Sequence, residues 1–477
     1  MTILVTGATG HIGANLVRTL LERGDKVRVT VREDTRALEG LEVERVRADV
    51  LDAESLMRAF QGARLVYHLA AHVSILEDAG RLREVNVDGT KNVVEACLKC
   101  KVERLVHACS IEALLRPGKP DPIDESTGPA SGEPTTAYGR TKAEGEQVVR
   151  AGIQRGLDAV IVYPTAVIGP YDFKPSFFGQ FFLDFGRMRT PALVPGGFDL
   201  VDVRDVVAGL LAAAGQGRCG EGYLLSGDFM TVKQIAETAQ ECTGVPRPRL
   251  VIPYWLAYPA AALAPLYYRL AGQPPRFTRM AVRMLQDGRQ ISNRKAKSEL
   301  GYSPRHPREA IRAAVAWFKE SGQLPRELAV FRSKKSAGLI TVVAAVLLIC
   351  ITGGTFLLAT GSGWDLALGL AALAASLAYL WLTIPVSYQV TGEELLVRGG
   401  PFRWKIPLDS IVRVQPTKNP LSAPAWSLDR LHVTYRKKAG KSFVLISPKD
   451  RQSFVEKLEA ATPGLKKDGD GLTKTGI

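Results

Sequence analysis

Tyr138 and Lys142 stand four residues apart in Tyr138-Gly139-Arg140-Thr141-Lys142, at the start of a helical pattern that continues through Ala143, Glu146, Val149 and Ile153. On a helix that spacing puts both side chains on one face. A lysine beside a phenol favours the phenolate and is expected to lower the pKa of Tyr138. Such a tyrosine can pass a proton to or from a carbonyl or alcohol oxygen. Ser110, at the end of the apolar run Arg104–Cys109, can hydrogen-bond the same oxygen. Tyr-x-x-x-Lys alone is common on helix surfaces, so its meaning depends on the elements around it.

Those elements begin at Ile3-Leu-Val-Thr-Gly-Ala-Thr-Gly-His-Ile-Gly13. An apolar strand ends at Thr6, glycines follow at Gly7, Gly10 and Gly13, and Ala14, Leu16, Val17, Leu20 and Leu21 begin a helix. This spacing closes a tight turn and brings backbone N–H groups and a helix N-terminus to a phosphate. A second strand, Lys26–Val31, ends in Arg32, where an acidic residue would hold the 2′-hydroxyl of NAD. Arg32, with Arg28 and Arg36 nearby, favours NADP(H). Glu33 and Asp34 keep NAD(H) open. Strands and helices alternate as far as Ser110, which predicts an α/β, Rossmann-type doubly wound parallel sheet.

Residues 1 to about 325 resemble an extended short-chain dehydrogenase/reductase of the NAD-dependent epimerase/dehydratase group. The matching pieces are Thr6-Gly7-Ala8-Thr9-Gly10-His11-Ile12-Gly13, Asp49-Val50, His68-Leu69-Ala70-Ala71, Asn86-Val87-Asp88-Gly89-Thr90, Cys109-Ser110, Tyr138 with Lys142, Tyr163-Pro164-Thr165 and Val201–Val206. The resemblance implies Ser110, Tyr138 and Lys142 as the catalytic group. It implies cofactor contacts from Gly7, Thr9, Gly10, His11, Ile12, Gly13, Arg32, Asp49, Val50, Leu69, Ala70, Ala71, Asn86, Lys142, Tyr163 and Pro164. Asp49 is placed near the adenine and Pro164 near the nicotinamide. Within the group, Val167–Ser176 and Pro195-Gly196-Gly197 are similar to dihydroflavonol-reductase-like and hopanoid-associated sugar epimerase-like members, with some sterol dehydrogenases as close relatives. Sugar dehydratases of the group carry Thr-Asp-Glu where this chain has Ser110-Ile111-Glu112. The acid for eliminating water is therefore missing. Dimerisation is common in the group, so a homodimer is compatible with it.

A substrate lobe is expected mainly over 165–320. Within it, Val251 to Tyr268 is uncharged and aromatic, broken by Pro253, Pro259 and Pro265. It reads either as a buried lobe helix or as an apolar lip lying on a bilayer. Two further uncharged runs, Ser336 to Trp364 and Leu366 to Val386, are each long enough to span a membrane and predict a transmembrane hairpin over 336–386. Arg332, Lys334 and Lys335 precede it, and Arg398, Arg403 and Lys405 follow. Both flanks are thus expected in the cytoplasm of a multi-pass inner-membrane protein. Residues 387–462 alternate as short strands before a helix at Arg451–Ala460 and resemble a small bacterial pleckstrin-homology-like domain. Residues 463–477, rich in Lys, Gly and Asp, are expected to be disordered.

A net charge of +14 over 477 residues suits a nucleotide or an anionic membrane lipid. No zinc spacing or aromatic-basic ladder points to nucleic acid or a metal. The six cysteines are scattered, as in a reducing compartment, and Cys97-x-x-Cys100 reads as helix packing. The first strand starts at Ile3, so no signal peptide is expected. Three functions follow. The first is a membrane-anchored NADP(H)-dependent oxidoreductase acting on a carbonyl or secondary alcohol of a lipophilic small molecule. The second is a nucleotide-sugar or lipid-sugar epimerase with retained NAD. The third is a non-catalytic dinucleotide sensor, against which the intact Ser110, Tyr138 and Lys142 argue.

Overall fold

The computed structural model describes residues 2–474 apart from 74–78, 115–121, 129–135, 271–276, 287–289, 327, 335, 361–364, 366, 373–375, 377–385, 400–401, 420–424, 426 and 438–439. The side chains of 266, 267, 270, 337–340, 342–344, 346, 359 and 360 are also outside it. Two compact units result, residues 1–243 with 247–324, and 244–246 with 325–477.

Strands β1 (Thr2–Thr6), β2 (Lys26–Val31), β3 (Glu44–Arg47), β4 (Leu65–His68), β5 (Arg104–Ala108) and β6 (Ala159–Pro164) belong to the first unit's main sheet. Next come β7 (Ala166–Ile168), β8 (Gly197–Asp202), β9 (Gly222–Leu225) and β10 (Asp228–Thr231). The main sheet is parallel throughout, with order β3-β2-β1-β4-β5-β6-β9. Its inner strands β1, β4 and β6 read as near-continuous apolar runs because both faces are covered, whereas the edge strand β3, Glu44-Arg-Val-Arg47, is largely exposed. Among the helices, α1 (His11–Glu22), α2 (Ala53–Phe60), α3 (Ala79–Arg83), α4 (Gly89–Lys99) and α5 (Ala137–Gln154) precede β6. After β7 come α6 (Phe177–Gly186), α7 (Val203–Gln216), α8 (Val232–Thr243), α9 (Tyr254–Leu270), α10 (Arg279–Gln286), α11 (Arg294–Leu300) and α12 (Pro307–Glu320). Helices α2, α4 and α5 cover one face of the sheet, and α1 and α7 cover the other. The strand order reverses between β1 and β4, which is where such sheets bind ligands.

The lobe is not one block. Strands β7, β8 and β10 form a separate three-stranded sheet, but α7, β9 and α11 return to the main sheet between lobe segments. Cys97 is buried on α4 and packs in the core, as expected of helix packing.

Helix α5 lies very close to its neighbours because its inner face carries glycines. A Cβ on Gly139 would sit 2.6 Å from the Glu112 carbonyl oxygen, and one on Gly152 would sit 2.6 Å from Val94 Cγ1. One on Gly145 would strike the Asn86 carbonyl oxygen. Asn86 lies on a widened helical turn, Glu84–Asp88, that runs into α4. Each interior glycine weakens a helix by about 1 kcal/mol relative to alanine, so the close approach must return more than that.

In the second unit, β11 (Leu328–Arg332) comes first, followed by α13 (Ala337–Thr360). Then come β12 (Val386–Thr391), β13 (Glu394–Gly399), β14 (Phe402–Pro407), β15 (Ile411–Thr417), β16 (Arg430–Lys437), β17 (Gly440–Ile446), a helix Arg451–Ala461, β18 (Leu465–Asp468) and β19 (Gly471–Lys474). Two antiparallel sheets, β11-β12-β13-β14 and β17-β16-β15-β19-β18, enclose a core that includes Tyr388, Val397, Val414, Val433 and Phe454. Two boundaries differ from the sequence-based expectation. The β-rich unit begins at Leu328, because β11 pairs with β12 across the apolar run. Its end extends past 462: β18 and β19 form a hairpin joined to β15, with Leu465 and Leu472 buried. Those two leucines anchor a charged segment that composition alone makes look disordered.

Helix α13 is 24 residues long and uncharged, but its side chains are described continuously only over 347–358. Among the described residues no helix is long and apolar enough to cross a membrane. Most of the second expected span, 366–386, lies outside the described residues.

Gly145→Ala should destabilise the first unit by about 2 kcal/mol through overpacking against Asn86. Gly215→Ala on α7, where a Cβ would meet nothing within 4 Å, should instead stabilise by up to about 1 kcal/mol. Thermal melts of the two variants check this; a Gly145→Ala melt at or above the parent's contradicts the packing.

Candidate active site

The turn after β1 is held by its own backbone. The Gly10 N–H donates to the Gly7 carbonyl at 3.0 Å. Gly7 has φ +72°, and a Cβ there would lie 2.5 Å from the Ala70 nitrogen. The turn therefore lies directly on the backbone just past β4. Helix α1 has no side-chain cap and no acidic residue in its first turn. Its leading N–H groups thus fit a phosphate well. The Pro170 carbonyl accepts from the Asn15 side chain at 2.9 Å and lies 3.1 Å from His11 Nε2, tying the lobe to this turn.

A cavity of about 750 Å³ opens from the turn across the ends of β4, β5 and β6. Gly7, Gly10, His11, Ile12, Gly13, Leu69, Ala71, Ser110, Tyr138 and Pro164 all line it. The structure thus brings the glycine turn, the serine and the tyrosine, expected from three separate stretches, to one space. Ser110 lies two residues past β5 in extended conformation, and its hydroxyl accepts from the Glu112 N–H at 3.2 Å. Thr136 caps α5 by accepting from the Gly139 N–H at 2.7 Å, which starts the helix just ahead of Tyr138.

Other expected residues support the cavity from behind. Ala70 lies under Gly7. The Asn86 amide bonds the backbone N–H and carbonyl of His72 and the Thr141 hydroxyl, tying the strand-end loop to α5. Val50 packs on Gly89. Arg32 and Asp49 form an exposed ion pair at 3.6 Å past the ends of β2 and β3. Thr9 is on the turn but does not line the cavity. Tyr163 points elsewhere: its side chain is buried in the core below the sheet, against Gly222. Neighbouring strand residues face opposite sides, so Pro164 reaches the cavity while the Tyr163 side chain faces the core.

The expected effect of Lys142 on Tyr138 is not what the geometry gives. Lys142 is buried, and its ammonium donates to the Ala108 carbonyl at 2.7 Å. Burial pushes the Tyr138 phenol up from its ordinary value, while a hydrogen bond with Ser110 works against this. The phenol is therefore held protonated. Burial lowers the Lys142 pKa, and the neighbouring Cys109 and Glu146 oppose the shift. Behind Lys142, the His68 and His107 rings, 5.3 Å apart and tilted by 38°, are kept neutral by burial and by the lysine charge.

Sequence reasoning missed most of the cavity's far wall. Phe177, Phe178, Phe198, Phe229, Tyr258, Met280 and Met284 make it apolar. Only the clustering of phenylalanines around α6 signals it in the sequence. Asp199 on β8 is an acid in that wall. Its Oδ1 accepts from the Gly227 N–H at 3.0 Å, and burial raises its carboxyl to about 6.

Sterol demethylase protein B of Methylococcus capsulatus is 44% identical over 330 residues, 68% of this chain and 100% of that protein. The chain belongs to the NAD-dependent epimerase/dehydratase family. The family's own pattern matches residues 3–225, and a bacterial PH domain matches residues 386–462. A putative dihydroflavonol 4-reductase of Synechocystis is 36% identical over 67% of this chain and 94% of that protein. Among solved structures, a nucleoside-diphosphate-sugar epimerase from Pseudomonas aeruginosa is similar at 26% identity and TM-score 0.56, over 68% of this chain and 99% of that one. The first unit is thus an NAD-dependent oxidoreductase/epimerase of the extended short-chain dehydrogenase/reductase type.

The Asp199 carboxyl binds its proton more tightly folded than unfolded. Its contribution to stability is therefore lost as pH rises from about 4 through about 6. Asp199→Asn removes that loss. The variant should match the parent at pH 4 and exceed it at pH 7, by up to about 3 kcal/mol. Denaturant melts at the two pH values check it; an advantage that does not grow with pH refutes the assignment.

Proposed function

We propose that the chain is a membrane-anchored NADP(H)-dependent oxidoreductase that moves a hydride to or from a carbonyl or secondary alcohol carbon of a lipophilic substrate. One observation carries this reading: Ser110 and Tyr138 share a single, largely apolar cavity with the glycine turn. When bound, the dinucleotide supplies or accepts the hydride. Gly7, Gly10, His11, Ile12 and Gly13 would hold its pyrophosphate, Asp49 its adenine end and Lys142 its nicotinamide ribose.

Ser110 positions the substrate oxygen by a hydrogen bond. In the reducing direction, the neutral Tyr138 phenol donates its proton to that oxygen as the carbon becomes tetrahedral. The phenolate left behind lies on the same helix face as the Lys142 ammonium, one turn away, and solvent reprotonates it. The oxidising direction reverses each step and requires Tyr138 to lose its proton first.

The phenylalanine and methionine wall supports an isoprenoid, sterol-like or other lipid-linked substrate over a nucleotide sugar. So does the relative named a sterol demethylase protein. The two uncharged runs, Ser336 to Trp364 and Leu366 to Val386, support anchoring, and basic residues on both sides of 336–386 support a cytoplasmic location for both units at the inner membrane. Arg32, 65% exposed at the end of β2, supports NADP(H).

Tyr138→Phe should lower turnover by about 10²–10⁴-fold and leave cofactor binding, read by nucleotide fluorescence, unchanged. Turnover retained in this variant refutes the role. Arg32→Ala should weaken NADPH binding by about tenfold, the loss of one charge-assisted contact, and leave NADH binding nearly unchanged. Equal effects on both cofactors, measured by titration, would remove the argument for NADP(H).

A further inference from the structure

Helix α9 leaves large apolar side chains uncovered. Its inward face packs Ala257 and Ala261, with the half-buried Tyr254 and Tyr258, against Val282 of α10 and Val194. Its outward face carries the large ones, with Trp255 76% exposed, Leu263 70% and Leu256 46%. Leu250 and Val251, just before the helix, are also exposed. No charged residue occurs in α9 before Arg269. A helix partnered only by water would show the opposite arrangement, and a contiguous exposed apolar face of this kind marks a contact surface.

Two further observations say what covers it. Residues 247–286 hold six arginines and no aspartate or glutamate. Arg249, Arg269, Arg279 and Arg283 are all exposed around the apolar face. Such a segment complements a surface that is negative outside and apolar within. The same two helices also reach the cavity: Tyr258 of α9 and Met280, Arg283 and Met284 of α10 line it. An exposed apolar face on a helix that also lines an apolar cavity is useful where the substrate arrives from an apolar phase.

We propose that α9 and the start of α10 form a monotopic docking surface for an anionic lipid bilayer. Trp255, Leu256 and Leu263 enter the acyl boundary, and the arginines contact lipid phosphates. The cavity then opens onto the bilayer, and a lipophilic substrate enters without crossing water. This deepens the lipophilic-substrate reading and rests on it for the role of the surface, but the docking itself requires no turnover.

Hydrogen exchange of the full chain tests it, with the protein reconstituted into vesicles of phosphatidylcholine alone or of phosphatidylcholine with phosphatidylglycerol. Exchange within 254–269 is expected to slow by about tenfold in the anionic vesicles, and high salt should reverse this. Trp255→Glu with Leu263→Glu should restore fast exchange while cofactor binding stays intact, which shows that the variant is folded. Fast exchange in both vesicle types overturns the proposal. Equal slowing in both removes the anionic selectivity and overturns it as stated. Slow exchange in detergent, with a particle of two chains, assigns the face to a second copy and also overturns it. Because no substrate is used, failure here is a separate result from failure of the oxidoreductase reading.

Discussion

The close approach of α5 to the strand ends is the constraint on which the rest of the site depends. Gly139 rests on the Glu112 carbonyl, Gly145 on the Asn86 carbonyl and Gly152 on Val94. These contacts carry Tyr138 to the cavity and bury the Lys142 ammonium on the Ala108 carbonyl. They also explain why α5 tolerates so many glycines despite their weakening effect on a helix. The same logic operates at the phosphate turn, where Gly7 lies on Ala70. Glycine is required in both places because backbone must meet backbone.

Electrostatics follow from that packing. A lysine drawn into a dry site would be unstable alone. Here a carbonyl receives it, Glu146 and Cys109 lie near it, and two neutral histidines sit behind it. Burial thus pushes the tyrosine pKa up and the lysine pKa down, with Cys109 and Glu146 opposing the shift of the lysine.

Much of this was legible in the sequence, because the governing signals are local. The turn at Gly7–Gly13, the alternation of strands and helices, and the pairing of Tyr138 with Lys142 all lie within short windows. Long-range contacts were not legible. Nothing near Leu328 announces that it pairs with Thr391, and the charged tail past 463 hides two leucines that close a hairpin. The acid at Asp199 and the direction of the Tyr138 shift depend on burial, which only the assembled lobe supplies. The Tyr163 side chain faces the core and Pro164 the cavity, because adjacent strand residues point to opposite sides of the sheet, which a matched motif alone does not reveal.

The central claim is hydride transfer within an apolar cavity. Its most direct test uses nicotinamide cofactor carrying deuterium at the reactive carbon, with the detergent-purified chain and two substrate pools: a lipid extract of the host and a mixture of nucleotide sugars. Mass spectrometry then follows the label. The account predicts deuterium on a carbon of a lipid alcohol, with matching oxidation of the cofactor. Isomerised sugars of unchanged mass, with the lipids unlabelled, would contradict it and make the protein an epimerase.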